Sequence, residues 1–272
     1  MNDILKYSED GKTVLGIKKL ETLVIPEGIT SIGDFAFSIC DKLEHISLPQ
    51  SLIHIGSSAF SGCASLKQIT LPTNLSALDG NVFSHCTCLE DISVENGNEH
   101  FSSEEGVLFN KTRDTLCVVP LGKKLTKYDV PKEVICIGEQ AFFQHYKLEQ
   151  VNLPEKLTTI GEYSFYLCTS LQNVIIPDLV TNIERSAFSG CMELKEVVIS
   201  EKIQYLGKDV FSTCDSLMLI VIKAIDPSKI KLLVSTFRNN HYKKATLCVP
   251  TESLDLYKQH KVFGKFKNIT SF

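Results

Sequence analysis

The chain has 272 residues, a formal net charge of −4, 43% hydrophobic residues and ten cysteines. Its basic residues are spread along the chain, which argues against a nucleic-acid groove because such a groove needs a clustered basic face. Its apolar runs fall short of the roughly 18 residues that a membrane-spanning helix requires, and its first residues lack the basic and apolar segments of a signal peptide. We therefore expect a folded protein with no nucleic-acid partner and no membrane span.

The first predicted element is a β-hairpin cap over residues 1–22. Two β-rich runs flank the dipeptide Asp10-Gly11, which is favoured in tight hairpin turns. A second hairpin is predicted within the insertion 95–127, where residues 107–109 and 115–119 are β-rich and are separated by a polar turn. Each hairpin precedes a run of similar segments, so the two hairpins divide the chain into two arrays.

The two arrays cover residues 23–94, with three repeats, and 128–222, with four repeats. The 23-residue unit reads C-x-x-L-x-x-I-x-L-P-x-x-L-x-x-I-G-x-x-A-F-x-x. Ile69 and Leu71 alternate with Gln68 and Thr70, which predicts a short half-buried strand, and Pro72 ends it. The preceding Ser-Ser-Ala-Phe-Ser-Gly-Cys stretch, residues 57–63, is predicted to form at most one or two helical turns. Such a unit buries its apolar side only by stacking on its neighbours, as in a solenoid.

This unit resembles the leucine-rich repeat, and the I-P or L-P and A-F-x-x-C segments resemble its BspA-like class. The resemblance implies an α/β solenoid, horseshoe-like, with short parallel strands on one face and short helical or turn returns on the other, as one continuous domain. Residues 223–272 resemble the C-terminal segment of that family, a strand, a short helix and a final strand, and we expect them to cap the last repeat.

Six cysteines occupy one position of the repeat and are predicted to stack as buried filler inside the return turn. Disulfides between rungs are disfavoured because equivalent side chains point the same way. A metal is disfavoured because only His85, Cys86 and Cys88 cluster, and Cys86 is already assigned to the core. No metal or cofactor is therefore predicted. The predicted thiol ladder consists of Cys40, Cys63, Cys86, Cys168, Cys191 and Cys214.

The outward positions of the strands change from polar in the first array to apolar in the last repeats, and exposed apolar surface often marks a contact. Our hypothesis is that this part of the sheet binds a protein or glycan partner. The alternative is that residues 224–272 fold over it. The candidate partner-binding residues are Gln150, Asn152, Asn173, Ile175, Glu196, Val198, Leu219 and Val221.

Three classes of function follow. The resemblance favours a non-catalytic cell-surface or secreted protein for adhesion or recognition, acting as a monomer. The absence of a signal sequence in this chain and the many thiols favour an intracellular, cytoplasmic scaffold instead. An enzyme is the least favoured class because the seven histidines are scattered and no catalytic motif is present.

Overall fold

The computed structural model describes residues 5–17, 20–233 and 235–272. Residues 1–4, 18 and 19 of the predicted N-terminal hairpin segment lie outside the described residues. The chain divides into two compact units, Met1–Lys123 and Lys124–Phe272.

The first unit contains twelve strands among its described residues and ends in a 3-10 helix, Leu121–Lys123. The strands are β1 (Leu5–Tyr7), β2 (Thr13–Ile17), β3 (Thr22–Val24), β4 (Ser31–Ile32), β5 (His45–Ser47), β6 (His54–Ile55), β7 (Gln68–Leu71), β8 (Ala77–Leu78), β9 (Asp91–Val94), β10 (Phe101–Glu104), β11 (Val107–Asn110) and β12 (Thr115–Val118).

The second unit contains twelve more strands and two short α-helices among its described residues, together with 3-10 helices at Pro227–Lys229, Thr251–Ser253 and Phe263–Lys265. They are β13 (Lys127–Asp129), β14 (Cys136–Ile137), β15 (Gln150–Asn152), β16 (Thr159–Ile160), β17 (Asn173–Ile175), β18 (Asn182–Ile183), β19 (Glu196–Ile199), β20 (Tyr205–Leu206), β21 (Leu219–Ile222), β22 (Lys231–Leu232), α1 (Asn239–Lys244), β23 (Thr246–Val249), α2 (Leu254–Gln259) and β24 (Asn268–Ser271).

Each repeat contributes two strands, which belong to two different parallel sheets. The L-x-x-I-x-L segment forms the outer sheet, with the order β13-β15-β17-β19-β21-β23-β24 in the second unit and the pairs β3-β5 and β7-β9 in the first. The I-G segment forms a two-residue strand of the return sheet, which includes β2-β4-β6-β8 in the first unit and β14-β16-β18-β20-β22 in the second. Equivalent residues pair in register, as Ile69 does with Ile92. The structure confirms the predicted solenoid.

The return segments of the repeats form turns. The sequence had predicted at most one or two helical turns in these segments. A right-handed helix needs a negative φ at every residue, and two positions of each return, four residues apart, have φ near +50° to +80°. These positions are Phe35, Ile39, Ser58, Gly62, Asn81, His85, Gln140, Gln144, Tyr163, Leu167, Ser186, Gly190, Asp209 and Thr213.

The turns are held by hydrogen bonds between rungs. The backbone N–H of Phe37 donates to the carbonyl of Ala59 at 2.8 Å, and that of Ile39 donates to Ser61 at 2.7 Å. Alternate N–H groups of the turn are thus paired with the next rung, whereas those of Ala36 and Ser38 donate within the turn.

Successive rungs approach closely at several glycines of the I-G segment. A Cβ on Gly207 would lie 2.6 Å from the backbone nitrogen of Arg185, and one on Gly161 would lie 2.7 Å from the carbonyl oxygen of Ile137. These distances are shorter than a van der Waals contact, so a larger residue at either glycine requires the rungs to shift, and the rungs of Asp79 and Glu184 carry a larger residue at the same repeat position.

The core of each unit is a column of stacked phenylalanine rings. Ring centroids are 5.1 Å apart between Phe37 and Phe60, and 5.1 Å apart between Phe165 and Phe188, with nearly parallel planes in both pairs. All four side chains are fully buried. One aromatic ring per rung therefore fills the interior in a repeating way.

Residues 223–250 form a further, irregular rung of the second unit. Strand β22 pairs with β20 and β23 pairs with β21, both in parallel. Phe237 continues the aromatic column, 5.8 Å from Phe211. Strand β24 then follows β23 in the outer sheet, and the ring hydroxyl of buried Tyr257 donates to the carbonyl of Ala224 at 2.8 Å. The strand, short helix and final strand expected near the C-terminus are present as β23, α2 and β24.

Candidate partner-binding face

The eight candidate residues lie in two parallel rows on the outward side of the outer sheet. One row aligns Asn173 with Glu196 and Leu219, and the other aligns Ile175 with Val198 and Val221. Gln150 extends the first row by pairing with Asn173. Gln150, Asn152, Asn173 and Ile175 are exposed, whereas Glu196, Val198, Leu219 and Val221 are half-buried.

The C-terminal segment lengthens this sheet instead of covering it. Leu219 pairs with Thr246 and Val221 pairs with Cys248, so the two rows continue onto β23. The side chain of Ile175 remains 66% exposed. Strand β24 adds one more rung beyond β23. Among the described residues, the row through Ile175 is therefore apolar over three successive rungs and open to solvent at its first member.

A groove of about 980 Å³ lies over β15 and β17, beside the exposed end of the apolar row. Its lining combines amides, such as Gln172 and Asn173, with the apolar side chains of Ile175 and Leu179, the latter 40% exposed. The groove also contains an ion pair between Asp178 and Lys223, at 2.8 Å. Leu179, Asp178 and Lys223 were not among the sequence candidates because their proximity depends on how three rungs stack.

The polar end of the groove is pre-organised by hydrogen bonds. The side-chain amide of Gln150 donates to the side-chain oxygen of Asn152 at 3.0 Å. Asn152 in turn donates to the carboxylate of Asp129 on the preceding rung. Amides held in this way can both donate to and accept from a ligand, because each carries both kinds of group.

The outer sheet of the first unit differs. The side chains of His45, Ser47, Gln68 and Thr70 are exposed and polar. Val24 occupies the same repeat position as Ile175 and is 67% exposed. Sequence reasoning did not single out Val24, since it is an isolated apolar residue in an otherwise polar row.

The six cysteines at the repeat position are buried. In five of them the thiol donates to the carbonyl of a phenylalanine of the preceding rung, for example from Cys191 to Phe165 at 3.3 Å and from Cys86 to Phe60 at 3.1 Å. Burial raises the pKa of the Cys86 thiol to about 12, and burial likewise raises the pKa of Cys191 well above its usual value. These thiols stay protonated and serve as donors, whereas a nucleophile or metal ligand would have to be a thiolate.

A serine, a histidine and an aspartate line up across three rungs of the first unit. The hydroxyl of Ser31 is 3.1 Å from Nδ1 of His54, and Nε2 of His54 is 2.9 Å from a carboxylate oxygen of Asp79. Ser31 and His54 occupy the same position in successive repeats, and Asp79 lies two positions further along in the next repeat. The side chains of His54 and Asp79 are 37% and 44% exposed. Sequence reasoning missed this line because the residues are 23 and 25 positions apart. It is a surface hydrogen-bond network, and exposed networks of this kind are screened by water.

Within residues 5–17, 20–233 and 235–272, no group of three or more His, Cys, Asp or Glu side chains could hold a metal ion. In the same part of the chain, no helix is long and apolar enough to cross a membrane.

Solved structures of similar fold include bacterial repeat proteins. A leucine-rich cell-surface protein from Faecalibacterium prausnitzii is 28% identical with a TM-score of 0.62, over 77% of this chain and 61% of that one. This chain thus spans less than two thirds of that protein's crystallised length. The pneumococcal vaccine antigen PcpA is 25% identical with a TM-score of 0.65, over 98% of this chain and 82% of that one.

A leucine-rich repeat protein from Eubacterium ventriosum, 18% identical with a TM-score of 0.64, covers 99% of this chain and 92% of its own, and it supports the fold alone. No curated protein matches this chain.

The sequence profile of the BspA-type leucine-rich repeat region matches residues 13–113 and 121–243, with six copies. The matched residues make up well over half of the chain, and the matching structures have the same repeat architecture. The chain therefore belongs to the BspA-type leucine-rich repeat family.

Proposed function

We propose that this protein is a non-catalytic, cell-surface or secreted recognition module that binds a protein or glycan partner through the outward face of β15, β17, β19 and β21. Membership of a leucine-rich repeat family supports an interaction module. Its likeness to a cell-surface protein from Faecalibacterium prausnitzii supports the location. Adhesion is the use that this combination favours.

The observation that carries this proposal is the exposure of Ile175 next to the groove. An isoleucine that is 66% exposed loses the favourable burial that the interior offers. Its row continues through Val198 and Val221, and contiguous apolar surface marks a contact more often than single exposed residues do. The adjacent amides of Gln150 and Asn152 supply the directional hydrogen bonds that such a site needs.

The rigidity of the sheet suits recognition. Each strand of the face is fixed by parallel pairing on both sides, so a partner does not have to order flexible loops on binding. Because the rows extend over several rungs, contacts can add along an elongated partner. A preformed surface of this kind lowers the entropic cost of association.

A second candidate is an intracellular scaffold that uses the same face. The observation that favours it is that cysteines such as Cys86 and Cys191 are buried as thiols, as in proteins of reducing compartments. The face and its partner chemistry are common to both candidates, so only the compartment distinguishes them. Immunogold labelling of intact cells of the source organism decides between them, because a surface protein is labelled without permeabilisation.

The experiment that tests the proposal is capture of a partner from host-cell membranes with the purified chain. The double variant Ile175→Lys with Val198→Lys is expected to lose the captured partner at unchanged melting temperature. The single variant Ile175→Lys has a matched control in Val24→Lys, which places one lysine at the same repeat position with nearly the same exposure. Protease or glycosidase treatment of the membranes shows whether the partner is a protein or a glycan. Equal capture by the double variant and by the wild type would contradict the proposal.

A further inference from the structure

A cluster of aromatic side chains lies on the turns of the second unit and not on the strands of the outer sheet. We call Phe143, Tyr146, Tyr163 and Tyr166 the tyrosine patch. The rings of Phe143 and Tyr166 are stacked, with centroids 5.3 Å apart and planes 14° apart. Tyr163 meets Tyr166 edge to face at 5.6 Å. The chain thus places four aromatic rings on two successive turns.

The patch departs from the repeat in a way that packing does not require. Phe143 and Tyr166 occupy a position that is serine in five other rungs, which are the rungs of Ser38, Ser61, Ser84, Ser189 and Ser212. Those rungs have the same turn geometry and the same buried phenylalanine column. A large aromatic ring at this position is therefore a local feature of two rungs and not a condition for stacking.

The rings of the patch are accessible. Tyr146 is 44% exposed, and Phe143, Tyr163 and Tyr166 are half-buried. Tyr146 lies two residues beyond Gln144, whose backbone N–H donates to the carbonyl of Tyr166 at 2.8 Å. Partial burial and the nearby Tyr166 raise the pKa of Tyr146. Three of the four rings thus bring both an apolar face and a hydroxyl to one surface. A side chain of this type suits a ligand that has an apolar face and a hydrated, hydrogen-bonding edge.

The charges beside the patch restrict the ligand. Glu139 and Glu162 occupy one repeat position on successive rungs and are both exposed. The two residues lie on adjacent rungs, where the backbone N–H of Gln140 donates to the carbonyl of Glu162 at 2.9 Å. Partial burial and the charge of Glu162 raise the pKa of Glu139. One neighbouring cation, Arg185, already lies over the ring of Tyr163, at 5.5 Å, and a second, Lys147, directly follows Tyr146. This arrangement disfavours anionic ligands such as sulfated or sialylated chains.

We propose that the tyrosine patch is a second binding site, which takes a neutral glycan. A neutral sugar ring has an apolar face of C–H groups that can lie on the stacked rings, and hydroxyls at its edge that can bond with the phenols and with Glu139 or Glu162. This site lies on the turns, whereas the proposed partner-binding face lies on the outer sheet. It goes beyond the proposed function and does not depend on it.

The test is titration of the purified chain with neutral hexasaccharides of β-1,4-glucose, β-1,4-N-acetylglucosamine, β-1,4-xylose, β-1,4-mannose and α-1,4-glucose. Tyrosine emission is the readout, since the chain has no tryptophan and three of its eight tyrosines lie in the patch. We expect saturable binding of at least one sugar. Tyr146→Ala should weaken it by about tenfold, as expected for the loss of one stacking ring, while Tyr146→Phe should keep most of the affinity.

Tyr7→Ala is the matched control, because Tyr7 is an exposed tyrosine of the first unit. Thermal melts of each variant report whether the fold is intact. The proposal is overturned if none of the five sugars binds at concentrations on the order of 10 mM, if Tyr146→Ala binds as tightly as the wild type, or if a heparin hexasaccharide binds more tightly than every neutral sugar. Loss of sugar binding in Ile175→Lys with Val198→Lys, but not in Tyr146→Ala, would assign the glycan to the outer sheet instead.

Discussion

The two units have the same interior and different outer faces. Phenylalanine columns fill both, with adjacent ring spacings of 5.1 Å and 5.8 Å in the first unit and 4.8 Å to 5.9 Å in the second. The outward row of the first unit contains Val24, Ser47 and Thr70, while that of the second contains Ile175, Val198 and Val221 in succession. The interior is fixed by packing between identical rungs, so the outer rows are the positions at which the two units can acquire different partners.

The largest expected effect comes from opening the aromatic column. Phe188 packs between Phe165 and Phe211, and Phe188→Ala should lower the free energy of unfolding by about 3–5 kcal/mol through lost burial and the cavity left behind. Phe60→Ala in the first unit should cost a similar amount, because its ring is also stacked on both sides. Urea unfolding measures both. A cost below about 1 kcal/mol for one variant alone would show that the two interiors are not equivalent.

A smaller effect is expected from the thiols. Cys191→Ala removes a buried thiol and leaves the carbonyl of Phe165 without this donor, which should cost about 1–3 kcal/mol. Cys63→Ala should behave alike, since its thiol donates to Phe37 at 3.2 Å. The same urea series provides the measurement. Stabilisation by either variant would contradict the role of the thiols as packed donors.

The second unit should also respond to acid through His241. Its ring is 1% exposed, with Nδ1 3.1 Å from the backbone N–H of Arg238 and Nε2 3.1 Å from the carbonyl of Cys214. The N–H of Arg238 needs an unprotonated Nδ1, so this geometry fits the neutral ring. Burial lowers the pKa of His241 below its ordinary value of 6.5, against the weaker opposite effects of the Cys214 carbonyl and Asp215, while Arg238 also lowers it.

The sign of the pH dependence follows from the lowered pKa. Below about pH 6.5 the unfolded chain binds a proton at this histidine that the folded chain does not, so stability falls as the pH drops through that range and levels off below the folded pKa. Urea midpoints between pH 7.5 and pH 5 measure the slope. His241→Gln should flatten it, and an unchanged slope would assign the acid sensitivity to other groups.

The smallest effect on stability is expected at the outer rows. Ile175→Lys and Val24→Lys should each change the free energy of unfolding by no more than about 0.5 kcal/mol, because both side chains are mostly exposed. Differential scanning calorimetry checks this directly. A large loss in Ile175→Lys alone would mean that Ile175 is packed in the folded chain and not offered to a partner.

The strands and the aromatic and thiol columns could be predicted from the sequence because they repeat. Gln68–Leu71 alternates as expected, with Ile69 and Leu71 buried and Gln68 and Thr70 exposed. The hairpin strands β11 and β12 also pair in antiparallel fashion, in the region where residues 107–109 and 115–119 predicted a hairpin.

Other features could not be predicted from local patterns. The left-handed conformation of Leu167 has no propensity signal, since it is imposed by hydrogen bonding to the next rung, where the N–H of Leu167 donates to Ser189. The irregular rung around Phe237 was missed because its sequence departs from A-F-x-x-C. The ion pair of Asp178 and Lys223 joins residues 45 positions apart, and only the stacking distance of two rungs brings them together.

The most direct test of the difference between the two outer faces is hydrogen–deuterium exchange of the chain with and without the partner captured from host membranes. We predict that exchange slows in peptides that span residues 150–176 and 196–222 and stays unchanged in peptides that span residues 45–71. Slower exchange in 45–71, with 150–176 and 196–222 unchanged, would contradict the assignment of binding to the second unit.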